Sequence, residues 1–170
     1  AEAFMAEQSG KIGHENLSFT TFPAQGMQTT YAADRFITGS APAATAMASG
    51  VKTNIGYVGV TPEGKSCKTI AEMARDQGMK VGIVSSVTVD HATPAAYYAH
   101  VEDRGKYYEI GQQMAESGFD YIGGGKNRTY MTPDGKPTVP EIMEDSGWTT
   151  INADENPEKF EKADSNPLFA

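Results

Sequence analysis

A helical stripe, a glycine, then a short apolar run: this order recurs along the second half of the chain. Ile70, Met73, Ala74 and Gln77 share one helical stripe that stops at Gly78, and residues 80–86 follow with the apolar density of a buried parallel strand. Residues 108–116, Gly118 and then 119–122 form a second instance. Residues 139–145, Gly147 and 148–151 form a third, and 158–163 open a fourth. Helices alternating with short strands at this spacing predict an α/β fold, a mostly parallel sheet flanked by helices. No low-complexity run or linker divides the chain, so residues 1–170 read as one domain.

The first half is patterned differently. AEAFMAEQ reads as the middle of an amphipathic helix with no capping residue ahead of it. Residues 17–30, rich in Phe, Thr and Gln with Pro23 and Gly26, read as extended segments with turns. In TGSAPAATAMASG (38–50) nearly every residue is small. Pro42 suits a first helical turn and Gly50 lies just past a last one. Small residues all round predict a buried helix that other backbone approaches closely. An extended exit follows over 51–54.

Composition narrows the function classes. Fourteen Lys and Arg against 22 Asp and Glu leave a formal charge of -8, which argues against binding nucleic acid through a basic face. An anionic substrate then needs a local exception: a metal, a helix N-terminus or a positioned arginine. The single cysteine, Cys67, excludes an internal disulfide and any multi-cysteine zinc site, and in its turn-like stretch it reads as an incidental thiol. No apolar run approaches the ~18–20 residues of a membrane span.

Five residues carry candidate chemistry. Ser40 opens the small-residue helix, where free N–H groups and the helix dipole favour an anion. It reads either as a simple N-cap or as a nucleophile, and no G-x-S-x-G elbow surrounds it. The segment DHATP (90–94) follows the predicted strand at 80–86, at the sheet end where ligands collect. Asp90, His91 and Thr93 there offer oxygen or nitrogen ligands. Thr93-Pro94 equally reads as an N-cap followed by an N1 proline, opening a helix expected to run to Arg104. Arg104 either pairs at the surface with Glu102 or Asp103, or turns inward, where its planar fork can hold two phosphate oxygens. Gly123-Gly124-Gly125 reads as a tight loop, and His14 as solvent-exposed.

The order and spacing of these signals resemble the alkaline phosphatase family. The matching stretch runs over about 31–125, strongest in TGSAPAATAMASGVKT (38–53), with VSSVTVDHATPAAYYAHVEDR (84–104) as its second part. The resemblance implies an incomplete alkaline-phosphatase-like α/β fold that hydrolyses phosphate monoesters through a phosphoserine. It puts the phosphoryl-accepting serine at Ser40, the substrate-binding guanidinium at Arg104 and a magnesium-binding hydroxyl at Thr93. His91 falls beside the magnesium site, and Ser40 is also a metal ligand. Zinc and magnesium are the implied cofactors, and an exported, periplasmic or extracellular enzyme, often a homodimer, is the implied setting. Alternatives are a phosphodiesterase or sulfatase of the same superfamily, or a non-catalytic binding domain of this fold. Two departures stand out. Gly39 occupies the position where members carry an Asp that orients the arginine. The metal-binding G-D-G-M-G-like strand and the later Asp/His clusters are absent, so the chain is expected to be truncated at both ends and inactive by itself.

Overall fold

The computed structural model describes residues 10, 21–128, 131–164 and 167–170. The expected helix over residues 1–8 and His14 lie outside them, and 22–30 carry no helix or strand.

Helix α1 (Ser40–Ser49) forms where the small residues predict it, with Gly39 as N-cap and Gly50 in the left-handed conformation at its end. Ala41, Ala44 and Ala48 are each 1% exposed. With no bulk on this face, neighbouring backbone comes close enough for Gly59 N–H to donate to the buried Thr45 Oγ1 at 2.9 Å. Helix α2 (Ile70–Asp76) starts in a capping box: Thr69 Oγ1 accepts the Glu72 N–H, and the Glu72 carboxylate accepts the Thr69 N–H. The expected stripe on α2 is corrected. Ala71 is the residue it buries, while Ile70 and Met73 are exposed. The helix is docked through small side chains and the Glu72 carboxylate, so its apolar pattern does not mark its buried face.

Four parallel strands follow: β1 (Gly82–Thr88), β2 (Tyr121–Gly125), β3 (Thr149–Thr150) and β4 (Leu168–Phe169), in spatial order β1-β2-β4-β3. Short helices connect them: α3 (Ala92–Ala95) and α4 (Tyr107–Ala115) between β1 and β2, α5 (Val139–Asp145) before β3, and α6 (Pro157–Glu161) before β4. After α2 and α5 the chain turns back through left-handed Gly78 and Gly147. Met79 N–H then reaches the Ala74 carbonyl at 3.0 Å and Trp148 N–H the Met143 carbonyl at 2.9 Å. The core gathers Ile110 and Met114 of α4, Ile122 of β2, Val139 and Met143 of α5, and Phe119 and Trp148. Trp148 Nε1 donates to the Ala115 carbonyl at 3.0 Å, so the indole fills space without an orphaned N–H.

Three expectations in this region need correction. Strand β1 is parallel but not buried: it lies at an end of the described sheet and Val84 is 75% exposed. The triple glycine is the end of β2, not a loop. A β-carbon at Gly124 would stand 2.6 Å from the Ser85 carbonyl oxygen, because β1 bulges across it between Val84 and Thr88. The helix expected from Pro94 to Arg104 is only α3, with His91 rather than Thr93 as its N-cap. The chain leaves that helix in turns and enters a two-residue bridge, Val101 against Val58, which re-aims everything after it.

Candidate functional site

The bulge in β1 and the short α3 bring residues distant in sequence to one place. Thr88, Val89, Asp90 and His91 leave the C-terminal end of β1, the end at which ligands collect in such sheets. The buried Tyr98 hydroxyl donates to the Val89 carbonyl and pins this exit. Arg104 sits in the turn before α4, its N–H donating to the Gly56 carbonyl at 2.8 Å. It turns inward rather than pairing with Glu102 or Asp103. Its guanidinium donates through Nη1 to Ser40 Oγ at 2.6 Å, and its Nη2 lies 2.9 Å from His91 Nε2.

Ser40 is the first residue of α1, not its N-cap. Gly39 provides no side-chain cap, no acidic residue occupies the first turn, and Pro42 has no N–H. The helix start therefore keeps uncapped donors beside the Ser40 hydroxyl and its arginine.

A guanidinium can only donate, so His91 Nε2 must present its lone pair to Arg104. The Thr93 N–H also points at this ring, reaching Nδ1 only at 3.4 Å. A neutral ring cannot accept at both nitrogens, and the shorter contact to the charged donor decides the tautomer. Burial, then the Arg104 and Arg128 guanidiniums, hold the His91 pKa below the ordinary histidine value, with Asp90 opposing them.

Asp90 is not free to bind a metal. Its carboxylate accepts the Arg128 N–H at 2.8 Å and pairs with the Arg128 guanidinium. That guanidinium also donates to Thr88 Oγ1 at 2.8 Å and stacks on Tyr107, its carbon 4.1 Å from the ring centre. Arg128 thereby ties the ends of β1 and β2 together. Sequence reasoning passed over it, since nothing beyond its place after the β2 glycines marks it. Thr93 is exposed, and no contact joins it to Ser40. Among the described residues no group of three or more His, Cys, Asp or Glu could hold a metal ion.

The model of the family described as Alkaline phosphatase matches residues 1–147. The chain belongs to the alkaline phosphatase family. Alkaline phosphatase of Gadus morhua is 34% identical over 160 residues, which cover 78% of this chain and 33% of that protein. The solved alkaline phosphatase of the Antarctic bacterium TAB5 superposes with a TM-score of 0.80 at 26% identity, covering 99% of this chain and 49% of that one. A histidine-to-aspartate variant of the TAB5 enzyme, solved with magnesium in a site named M3, gives 0.79 at the same identity and coverage. The chain thus spans about half the length of the solved alkaline phosphatase it matches, and a third of the cod enzyme. These likenesses establish an incomplete alkaline-phosphatase-like α/β fold, and they bear out the family expected from the two motif stretches.

Proposed function

We propose that this chain carries the phosphoryl-accepting half of a phosphate monoesterase, with Ser40 as nucleophile and Arg104 as the group that grips the phosphoryl oxygens. The observation that carries this reading is the 2.6 Å contact between Arg104 Nη1 and Ser40 Oγ at an uncapped helix start. A phosphoryl group entering there would meet a hydroxyl oxygen, a planar pair of charged donors and the positive end of a helix. In the transfer, Ser40 Oγ gives up its proton to solvent and forms a bond to phosphorus, the ester P–O bond breaks, and the leaving alkoxide takes a proton from solvent. Water then cleaves the phosphoserine. Arg104 would neutralise charge on the non-bridging oxygens with the N–H groups that Ser40 and His91 leave free.

Ser40 has no general base in this arrangement. The nearby imidazole spends its lone pair on Arg104, and the hydroxyl's own partner is the guanidinium. Zinc and magnesium, which the family resemblance implies, would answer that need, with Ser40 and Thr93 as ligands and His91 beside the magnesium. The described residues do not fit such ions by themselves. Two hydroxyls lacking carboxylate or imidazole partners make a poor zinc or magnesium site, so no step is routed through a metal. This chain alone is expected to show no turnover. An exported homodimer as the working form rests on the family resemblance. No described helix is long and apolar enough to cross a membrane.

The test is hydrolysis of p-nitrophenyl phosphate, with zinc and magnesium supplied, by the natural polypeptide carrying this chain and by its Ser40→Ala and Arg104→Ala variants. Ser40→Ala should abolish the burst of nitrophenol. Arg104→Ala should weaken inhibition by inorganic phosphate roughly 10- to 100-fold, the equivalent of losing one or two charge-assisted hydrogen bonds. A normal burst from Ser40→Ala would remove the serine from the mechanism. Activity toward phosphodiesters or sulfate esters only would move the reading to another member of the superfamily.

A further inference from the structure

We propose that His91 is the positioning residue of the Arg104 guanidinium, holding by its Nε2 lone pair an arginine that no carboxylate holds. The functional meaning of this step rests on the reading of Arg104 as the phosphate-gripping group.

The argument starts from the needs of the side chain. Arg104 is half-buried, and a flexible guanidinium is useful for bidentate binding only when its plane is fixed beforehand. Among the described residues no carboxylate lies within ion-pair distance of it. The salt bridges go elsewhere, and the neighbouring Asp103 carboxylate accepts the Gly105 N–H at 2.7 Å instead. The Arg104 N–H bond to Gly56 fixes only the root of the side chain. At its tip two acceptors remain, Ser40 Oγ and His91 Nε2. Ser40 cannot be the holder, because its oxygen must leave the guanidinium's plane to bond phosphorus. His91 has no such duty.

His91 is itself held. It follows Asp90, whose side chain is 3% exposed and locked to Arg128 across the ends of β1 and β2, and its own N–H donates to the Thr88 carbonyl at 2.9 Å. Its ring therefore projects from two fixed backbone anchors. Gly39, which precedes Ser40, has no side chain to offer. Its backbone is extended, with φ -121 and ψ 177, and a β-carbon there would meet Ile55 Cδ1 at 3.6 Å and Pro42 Cδ at 4.0 Å. Those are ordinary contacts, so a β-carbon fits at position 39.

The test labels arginine and histidine with 15N in the natural polypeptide carrying this chain. In the unaltered protein the His91 signals should show Nε2 without a proton and Nδ1 with one, and the Arg104 Nη protons should exchange slowly through restricted rotation. A protonated Nε2 would overturn the proposal with no variant needed. His91→Asn keeps a capping residue for α3 but is too short to reach Arg104. With the backbone spectrum intact, it should average the Arg104 Nη signals and weaken binding of inorganic phosphate roughly tenfold, raising KM more than it lowers kcat. Unchanged Arg104 rotation and unchanged phosphate affinity in His91→Asn would contradict the assignment. The nitrogen signals need no turnover. If they behave as expected while phosphate esters are not hydrolysed, the positioning stands and the phosphatase reading falls.

Discussion

Asp90 and Arg128 show what a single buried pair does beside this site. Asp90 has lost nearly all contact with water, and its negative charge is tolerated only because the Arg128 backbone and guanidinium both meet it. Removing one partner should therefore cost more than the pair is worth. Arg128→Ala is expected to destabilise the protein by about 3 kcal/mol, near the lower end for a broken buried pair because Arg128 keeps some contact with solvent. Asp90→Asn, which removes the charge, should cost less. Urea denaturation measures both, and equal losses would mean that the carboxylate is not desolvated in solution. At this scale the sequence was partly legible. Ser40, His91 and Arg104 could be named from motif order, and the structure brings those three together. Arg128 could not, because its partner lies 38 positions away in the chain. Thr93 approaches them only through its N–H, 3.4 Å from His91 Nδ1, and the N-cap position belongs to His91.

Elements were legible where local chemistry decides them. The small-residue helix and the glycines that end α2 and α5 act over a few residues, and each stands where the sequence puts it. Long-range packing decides the rest. Ile70 and Met73 follow the expected period, yet α2 docks through Ala71. The triple glycine belongs to a strand because β1 bulges over it, a contact no short window contains. The same closeness governs α4 against α5. A β-carbon at Gly111 would lie 2.3 Å from Val139 Cγ2, and valine has little rotameric freedom with which to yield. Gly111→Ala should destabilise the fold by about 1–3 kcal/mol. Combining it with Val139→Ala should recover part of that loss, and strictly additive losses would show that the two helices are not in close contact. Gly39→Asp should shift stability the other way by a few tenths of a kcal/mol, since aspartate caps a helix slightly better than glycine.

For the whole molecule, the α/β class and the parallel strands were readable from the recurring helix, glycine and strand units. Strand order and exposure were not, since an apolar run looks the same whether one neighbour covers it or two. The half-exposed β1 presents Val84 and Val87 at the end of the described sheet. Stability should also depend on acid. Burial works against the charge on Glu72, but the Thr69 N–H and His100 together keep its carboxyl below its ordinary value of 4.5. The unfolded chain therefore binds the proton first as pH falls. The stabilisation from Glu72 is complete above about pH 4.5 and disappears as pH drops through the lower folded value. Glu72→Gln should flatten that part of the acid limb in a series of thermal midpoints, and an unchanged limb would relieve Glu72 of this role. Asp34, Asp76 and Glu141 shift in the same direction at the surface, where solvent weakens their effect.

If Ser40 receives the phosphoryl group, a covalent phosphoserine can be trapped there. The natural polypeptide carrying this chain, supplied with zinc and magnesium, would be mixed with a phosphate monoester, quenched in acid and digested for mass spectrometry. The account predicts phosphoserine at Ser40, absent from Ser40→Ala. Phosphate on another residue, or an active protein that never yields a phosphorylated Ser40 peptide, would contradict it.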